Sequence, residues 1–488
     1  MNLRRHIAAA ALTLTLTCLL LASTAVGADS VYWVNIAGNK ISHANTNGSG
    51  GGDVPITGAP VGRPSGLAID AAAGRLYWAN RDDNAIHYSS LNGSGGALLN
   101  TAGATPGSIT GLAIDPAGGR LYWANTSAEK ISYANLNGSG GGDLDTASAT
   151  VDEPAGLALN PTAGRIYWSN AKGNTISFAN LDGSGGGGDL DTTGATVDTP
   201  EGVAVDLPHG RIYWTNFGNS TIAYANLSGG GGGQLNTAGA PVNGPFGLAI
   251  NFSGTIFWAN YSNNSIAYVN PSVGPGEQIN TSGATLEGTA LPVLLERPHN
   301  SESPAVLGAH KPGSTLTCSQ GKWYADRVES SLALAPQAFS YQWFRNGKAE
   351  TGATSPSFTA NKVGTYSCVV TATNFAGSES TVSAIDFSVN ATVGFKKVTF
   401  NRKKGTATLR VAITGRGRLD LYGKGVANAQ RKHAQGTAKI TVRTSGKALI
   451  KLRNTGKAKV KARISYTPEG GKAIKRFKTI VLKKKLKR

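Results

Sequence analysis

A pair of aromatic residues recurs six times in this chain at an almost constant spacing. Each pair ends in a tryptophan, and the gaps between successive tryptophans are 45, 45, 45, 46 and 44 residues. The six tryptophans are Trp33, Trp78, Trp123, Trp168, Trp214 and Trp258. A fixed period of this length is typical of repeat architectures in which each unit is one small sheet. The spacing therefore predicts that residues 31–295 form a series of similar units.

One repeat unit contains four short segments rich in apolar, β-branched or aromatic residues. In the fourth unit they are residues 156–159, 166–170, 175–181 and 189–192. Turn-forming Asn-Pro, Asp-Gly and glycine runs separate them, and no segment has the length or periodicity of a helix. Each unit is therefore predicted to be a four-stranded antiparallel sheet, which is the blade of a β-propeller.

The first unit lacks its initial strand, because the mature chain is expected to begin just before Val31. Residues 290–294 follow the sixth unit and can supply the missing strand. A blade shared between both ends of the repeat region closes the ring and leaves no free sheet edge. We therefore expect a six-bladed β-propeller over residues 29–297.

The unit resembles the YWTD repeat of low-density-lipoprotein receptors, which forms six-bladed propellers. The resemblance rests on Gly-Leu-Ala-Ile-Asp before Gly-Arg-Leu-Tyr-Trp, and on Leu-Asn/Asp-Gly-Ser after it. This chain has asparagine where the family has the aspartate that links neighbouring blades. We expect these asparagines to be structural and not a ring of ligands around the channel. They are Asn35, Asn80, Asn125, Asn170, Asn216 and Asn260.

The three residues after each asparagine differ from unit to unit, whereas the Gly-Arg and Asn/Asp-Gly-Ser turns barely change. In a propeller these variable loops share one face, and loops on a rigid frame often carry recognition. Neutral variation of exposed loops explains the pattern equally well. The most distinctive residues of the candidate recognition face are Arg81, Asp82, Asp83, Phe217 and Tyr261.

The sequence contains no recognisable catalytic triad, zinc spacing or phosphate-binding loop. Acidic pairs at Asp143 and Asp145, and at Asp189 and Asp191, could suggest calcium. Calcium needs six to eight oxygen ligands, and nothing nearby completes such a shell. We therefore interpret these acids as surface residues beside turns, and we expect no metal, cofactor or catalytic residue.

A second region, residues 298–390 with its linker, contains the cysteines that remain once Cys18 is removed with a signal peptide. It resembles the immunoglobulin-like sandwiches of bacterial surface proteins. The resemblance implies a Cys318–Cys368 disulfide, a buried Trp343 and a tyrosine corner at Tyr366. Two free buried thiols are the alternative. The long step from Cys318 to Trp343 predicts an extra loop near residues 323–334.

Residues 391–488 carry 29 Lys and Arg against 2 Asp and Glu, whereas residues 29–300 carry 10 against 20. Cations alternate with apolar residues at Lys457, Lys459, Lys461 and Arg463, which predicts a half-buried strand with a basic face. We expect a second, basic β-sandwich that binds an anionic cell-envelope polymer. Nucleic acid is a less favoured partner, because no aromatic platform interleaves with the lysines.

Residues 1–28 read as a secretory signal, with Arg4 and Arg5 before an apolar run and a small-residue cleavage site. No later stretch reaches the roughly 20 apolar residues of a membrane span. The sequence thus predicts an all-β, secreted or cell-surface binding or adhesion protein without enzymatic activity. Its propeller would recognise a protein or glycan. The alternatives are a propeller enzyme (a lyase, hydrolase or sugar dehydrogenase acting on extracellular carbohydrate) and a structural matrix component.

Overall fold

The structure is a computed structural model that describes residues 28–105, 107–184, 186–384, 387–433 and 435–486. The predicted signal peptide therefore lies, except for its last residue, outside the described residues. The described chain is almost entirely β-structure, arranged as a six-bladed propeller followed by two sandwiches.

Each blade is an antiparallel sheet whose inner strand lines a central channel. In blade order, the inner strands are Thr289–Leu295, Pro64–Asp70, Ile109–Asp115, Pro154–Asn160, Pro200–Asp206 and Pro245–Ile250. The second strands, which hold the aromatic pairs, are Ser30–Asn35, Arg75–Asn80, Arg120–Asn125, Arg165–Asn170, Arg211–Asn216 and Ile256–Asn260.

The third strands are Lys40–Asn45, Ala85–Ser90, Lys130–Asn135, Thr175–Asn180, Thr221–Asn226 and Ser265–Val269. The outer strands are Gly51–Asp53, Ala97–Leu98, Gly141–Asp143, Gly188–Asp189, Gly233–Gln234 and Glu277–Gln278. A 3₁₀ turn, Pro161–Ala163, joins two strands of the fourth blade. The six tryptophans are buried in the cores between blades.

The ring closes through the first blade, as the sequence predicts. Strand Thr289–Leu295 pairs antiparallel with Ser30–Asn35, which brings residues from both ends of the repeat region into one sheet. A second link joins the same two parts of the chain, because Thr285 donates from its backbone nitrogen and its hydroxyl to the Asp53 carboxylate, at 2.9 and 2.8 Å. Both ends of the repeat region are therefore fixed in one blade.

In five of the six blades, the inner strands approach each other so closely that glycine is required near the start of the strand. A Cβ on Gly156 would lie 2.3 Å from the Glu201 carbonyl oxygen, and one on Gly202 would lie 2.3 Å from the Gly247 Cα. These distances are far below van der Waals contact, so no side chain fits there. The Gly-Leu-Ala motif of the repeat thus reflects a narrow channel.

The second domain packs a three-stranded sheet against a larger one. The smaller sheet contains Val306–Gly308, Ser314–Cys318 and Ser357–Ala360. The larger contains Ala338–Arg345, Lys348–Ala349, Gly364–Asn374, Gly377–Val382 and Phe387–Val389. Strands Asn300–Glu302 and Lys322–Trp323 form a separate pair.

The disulfide prediction for the second domain is confirmed: Cys318 and Cys368 join the two sheets. Trp343 is fully buried in the core that contains both cysteines, and the Tyr366 hydroxyl donates to the Lys362 carbonyl at 2.8 Å. These contacts are the ones that the immunoglobulin-like resemblance implies. The family assignment itself stays a prediction.

The predicted extra loop reaches into the propeller, and we call residues 326–334 the plug segment. It contains a 3₁₀ turn, Val328–Ser330, and a strand, Leu332–Ala333, that pairs in parallel with the inner strand of the first blade. The Asp326 carboxylate accepts hydrogen bonds from the backbone nitrogens of Ala71, Leu334 and Ala335 at 2.7 to 3.2 Å. The plug segment therefore closes the channel at the end where the inner strands finish.

In its described residues, the basic domain contains two sheets and one helix. One sheet contains Val393–Asn401, Thr406–Ile413 and Gly436–Val442, and the other contains Ala429–His433, Gly417–Tyr422, Lys457–Pro468 and Ile474–Lys483. Helix Gly446–Thr455 departs from the all-strand expectation for this domain. Gly456 ends it in the left-handed conformation, and Leu452 packs into the core between the sheets. The helix is thus packed onto the sandwich through Leu452.

Candidate functional site

The variable loops surround the open end of the channel. The first variable residue of a unit hydrogen-bonds to the chain just before the inner strand: Phe217 to Thr199 at 3.1 Å, and Tyr261 to Gly244 at 2.9 Å. The inner strands begin at this end and finish at the end that the plug segment occupies. The candidate recognition face therefore lies opposite the face that contacts the second domain.

Two rings of side chains border this open end, and we call them together the mouth. The outer ring consists of the first variable residue of each unit: Ile36, Arg81, Thr126, Ala171, Phe217 and Tyr261. The inner ring consists of the residue just before the glycine of each inner strand; in the first blade, Leu291 stands at the glycine position. The six residues of this ring are Ala290, Ser65, Thr110, Ala155, Glu201 and Phe246. The backbone around the mouth is nearly six-fold, but its side chains are not.

One side of the mouth is aromatic. The ring centroids of Phe217, Phe246 and Tyr261 lie 5.7 to 6.3 Å apart, with Phe217 edge-on to the other two. Phe217 and Phe246 are half-buried, and Tyr261 is 37% exposed. Rigid, partly exposed aromatic clusters of this kind supply a large contact area at a low entropy cost.

The second blade contributes a cation, Arg81, to the mouth. Arg81 is half-buried, and its Nε is buried with no hydrogen-bond partner among the described residues. Burial lowers the pKa of Arg81, and nearby Arg63 lowers it further. A buried donor without a partner is uncommon in proteins, and it often marks a place where a ligand or ordered water binds.

Glu201 lies in the inner strand of the fifth blade, the blade that also carries Phe217. Burial raises its pKa to about 8, the Arg81 charge opposes this rise, and the Glu153 carboxylate adds to it. The structure gives no hydrogen bond between Glu201 and Arg81 among the described residues, so both groups keep free hydrogen-bonding atoms. The mouth thus presents one cation and one carboxyl beside the aromatic cluster.

The two predicted aspartates lie away from this cluster. The Asp83 carboxylate contacts His87 Nε2 at 2.7 Å, and the His87 ring stacks on Trp78 in the same blade. Asp82 is exposed, and its backbone nitrogen donates to the Gly62 carbonyl. Of the five predicted recognition residues, the structure brings Arg81, Phe217 and Tyr261 together at the mouth and leaves the aspartates in the loops.

The repeated asparagines are buried and hydrogen-bonded, in agreement with the structural interpretation. The Asn170 side-chain oxygen, for example, accepts from Trp168 Nε1 at 3.2 Å and from the Asp152 backbone nitrogen at 3.0 Å. Asp143 is equally engaged, because Ser132, Lys130 and the Thr105 backbone donate to its carboxylate. Although burial opposes this, these hydrogen bonds hold the pKa of Asp143 well below its usual range.

Two mouth residues were not predicted from the sequence, namely Glu201 and Phe246. Both occupy the position before the glycine of the inner strand, where other units have alanine, serine or threonine. The sequence did contain a signal for these two residues: each is charged or large at a position where the other units have a small residue. Only the ring geometry shows that this position faces the variable loops.

The basic residues predicted to bind anions lie along one exposed face of the second sandwich. In strand Lys457–Pro468 the exposed and buried residues alternate, with Lys457, Lys459, Lys461 and Arg463 exposed. The sequence predicted no aromatic stacking platform among these cations, and the structure places one exposed ring, Phe477, beside them. Phe477 pairs with Arg463 across the sheet, and the Lys461 ammonium lies 3.9 Å from the Phe477 ring centroid.

The described residues contain no group of three or more His, Cys, Asp or Glu side chains that could hold a metal ion. No helix in the described part of the chain is both long enough and apolar enough to cross a membrane.

No protein-family model matches this chain, and no curated protein matches it. Several solved structures are similar to it at low identity. A crystal structure of a nidogen/laminin complex is 18% identical with a TM-score of 0.45, covering 55% of this chain and 98% of that one. A catalytically inactive virginiamycin B lyase from Staphylococcus aureus, with quinupristin, is 14% identical with a TM-score of 0.39, covering 59% and 87%.

A streptogramin B lyase structure is 13% identical with a TM-score of 0.36, covering 78% of this chain and 94% of that one. At these values the similarities assign no family and no activity to this chain.

Proposed function

We propose that this is a secreted or cell-surface binding protein whose propeller recognises a protein or glycan at the mouth. Its basic domain would hold the molecule on an anionic cell-envelope polymer. The observation that carries this proposal is the asymmetry of the mouth. A nearly six-fold backbone presents a cluster of three aromatic rings in the fifth and sixth blades, Glu201 in the fifth blade and Arg81 across the ring in the second blade.

The shape of the channel favours binding at its surface over capture of a ligand inside it. Below the mouth, the inner strands leave a cavity of only about 20 Å³, lined by leucine and valine side chains and closed by Ser331 of the plug segment. Such a space holds about one water molecule. A ligand would therefore lie across the mouth, where the aromatic cluster supplies apolar contact and Arg81 supplies an unpaired donor.

The location of the protein is inferred from its cysteines and its predicted signal. Disulfides are typical of extracellular and periplasmic proteins, and Cys318 and Cys368 form one here. Export is therefore part of the proposal, and it can be tested by recovering the processed protein from culture medium or from the cell surface.

The recognition function is tested by screening the full mature chain on glycan and envelope-protein arrays. The double variant Phe217→Ala with Tyr261→Ala should weaken binding at least tenfold, because loss of about 1.4 kcal/mol gives that factor. A matched control is Val273→Ala, an apolar residue that is 82% exposed in a turn on the opposite face. Equal binding by the double variant and the control would contradict the proposal.

An enzymatic function is the second candidate, and Glu201 is the observation that favours it. A carboxyl whose pKa is raised to about 8 stays protonated at neutral pH and can act as a general acid. If the mouth cleaves or eliminates extracellular carbohydrate, Glu201→Gln should abolish turnover and leave binding of the same oligosaccharide intact. Unchanged turnover would exclude Glu201 from that role.

A further inference from the structure

The basic face of the C-terminal domain has a regular geometry. Lys457, Lys459, Lys461 and Arg463 are exposed on one strand, and the residues between them are buried in the core. Side chains on one face of a strand repeat every ~6.8 Å, so this row of four cations extends over ~20 Å. An extended row of evenly spaced cations fits a linear polyanion better than a single small anion.

The row continues into a groove beside the helix. Lys424 and Lys447 line an open groove of about 600 Å³ together with Lys459 and Lys461. Among the described residues, none of these four lysines forms an ion pair. On the same sheet, the Asp420 carboxylate is engaged by Arg418 at 3.1 Å. The positive charge of the groove is therefore not neutralised within the domain.

An exposed aromatic ring lies among these cations. Phe477 is 61% exposed, faces Arg463 across the sheet and has the Lys461 ammonium 3.9 Å from its ring centroid. The hydrophobic core of the domain lies on the other side of this sheet, so folding does not require Phe477 to be apolar. A flat ring beside cations can stack on the apolar face of a sugar whose carboxylate reaches the neighbouring cation.

We propose that this face binds a linear acidic polysaccharide, with one sugar ring stacked on Phe477 and successive carboxylates along the row from Lys457 to Arg463. Phe477 lies within the edge strand of the sheet, Ile474–Lys483, and not on a protruding loop, which suits a polymer lying along the strands better than insertion into a lipid layer. A single aromatic ring also offers little of the repeated stacking that single-stranded nucleic acids use. The inference rests on the envelope part of the proposed function and does not depend on the mouth.

The experiment compares two polyanions, one with sugar rings and one without. Binding of the full mature chain to polygalacturonate and to inorganic polyphosphate is measured over a range of salt concentrations. Phe477→Ala should weaken polygalacturonate binding about tenfold and leave polyphosphate binding unchanged, because polyphosphate has no ring to stack. Lys459→Ser with Lys461→Ser should weaken binding of both polymers and reduce its salt dependence.

Matched controls lie on the other sheet of the same domain. Phe400→Ala removes a ring that is 53% exposed, and Arg410→Ser with Lys439→Ser removes two exposed cations that face each other across strands. These controls should bind polygalacturonate as the unchanged protein does. Equal weakening by the controls would show that total charge governs binding, and it would overturn the proposed site.

Three other results would also overturn the proposal. They are an equal effect of Phe477→Ala on both polymers, tighter binding of a single-stranded DNA oligonucleotide than of polygalacturonate, and binding of phosphatidylglycerol vesicles without binding of polygalacturonate. A failure of the recognition proposal for the mouth can be distinguished from a failure of the polysaccharide site. If the double variant at Phe217 and Tyr261 changes no binding while Phe477→Ala does, the recognition proposal fails and the polysaccharide site stands.

Discussion

The buried carboxyl at the mouth makes a prediction about stability that can be worked out from its pKa. The pKa of Glu201 is about 8 in the folded protein, against about 4.3 for a glutamate in an unfolded chain. Between these values the folded protein holds a proton that the unfolded chain has lost. The stability that this proton provides is fully present below about pH 4.3 and is lost as pH rises through 8.

The size of the effect follows from the pKa difference. At about 1.4 kcal/mol per unit, the full shift corresponds to about 5 kcal/mol, and solvent at the half-open mouth reduces this to about 2–3 kcal/mol. Glu201→Gln removes the titrating group. The unchanged protein therefore loses stability between pH 5 and pH 9, and the variant does not. We expect the difference in unfolding free energy, variant minus unchanged protein, to increase by about 2–3 kcal/mol from pH 5 to pH 9.

Urea-induced unfolding followed by tryptophan fluorescence measures this difference, because six of the eight tryptophans belong to the propeller. Glu129→Gln is the control, since Glu129 is exposed in an equivalent variable loop. The change with pH should be larger for Glu201→Gln than for this control. If the difference for Glu201→Gln is the same at pH 5 and pH 9, the argument that burial holds Glu201 neutral is refuted.

Three further predictions concern the stability of the assembly. Asp53→Asn weakens the contact with Thr285 that helps to close the ring, and it should cost about 2 kcal/mol at pH 7. Because hydrogen bonds hold the pKa of Asp53 below its usual range despite burial, this cost should shrink as pH falls below about 4, which thermal melts at pH 7 and pH 3 will show. Replacing both Cys318 and Cys368 with serine should destabilise the second domain by about 4 kcal/mol, measured by calorimetry, and an unchanged transition would contradict this. Leu334→Ala should cost about 2–5 kcal/mol and speed tryptic cleavage within the plug segment, whereas an unchanged cleavage rate would show that this side chain does not hold the segment in the channel.

The propeller was predictable because its signal is repeated. The tryptophan spacing gave the number of blades, and the missing first strand pointed to residues 290–294 as its replacement. The alternation around Lys459 likewise predicted a strand with one basic face. In each case a local period directly reflects which side of a strand is buried.

The mouth was only half predictable, because its second ring comes from a different part of the repeat. Arg81, Phe217 and Tyr261 follow the repeated asparagine and stood out as variable, but Glu201 and Phe246 lie in the inner strand more than ten residues away from that position in their units. The plug segment was predicted as a loop, yet nothing local in it indicates that Leu332 pairs with the first blade. Contacts between segments that are distant in sequence form only in the closed ring, so the repeat spacing of the sequence does not predict them.

The central claim is that the propeller binds its ligand at the mouth, on the face opposite the plug segment. Hydroxyl-radical footprinting of the full mature chain, with and without isolated cell envelopes, tests this directly because aromatic rings react readily. We predict that Phe217 and Tyr261 become protected while Tyr324, which is 43% exposed on the opposite side, keeps its reactivity. Protection of Tyr324 with no change at Phe217 and Tyr261 would contradict the claim.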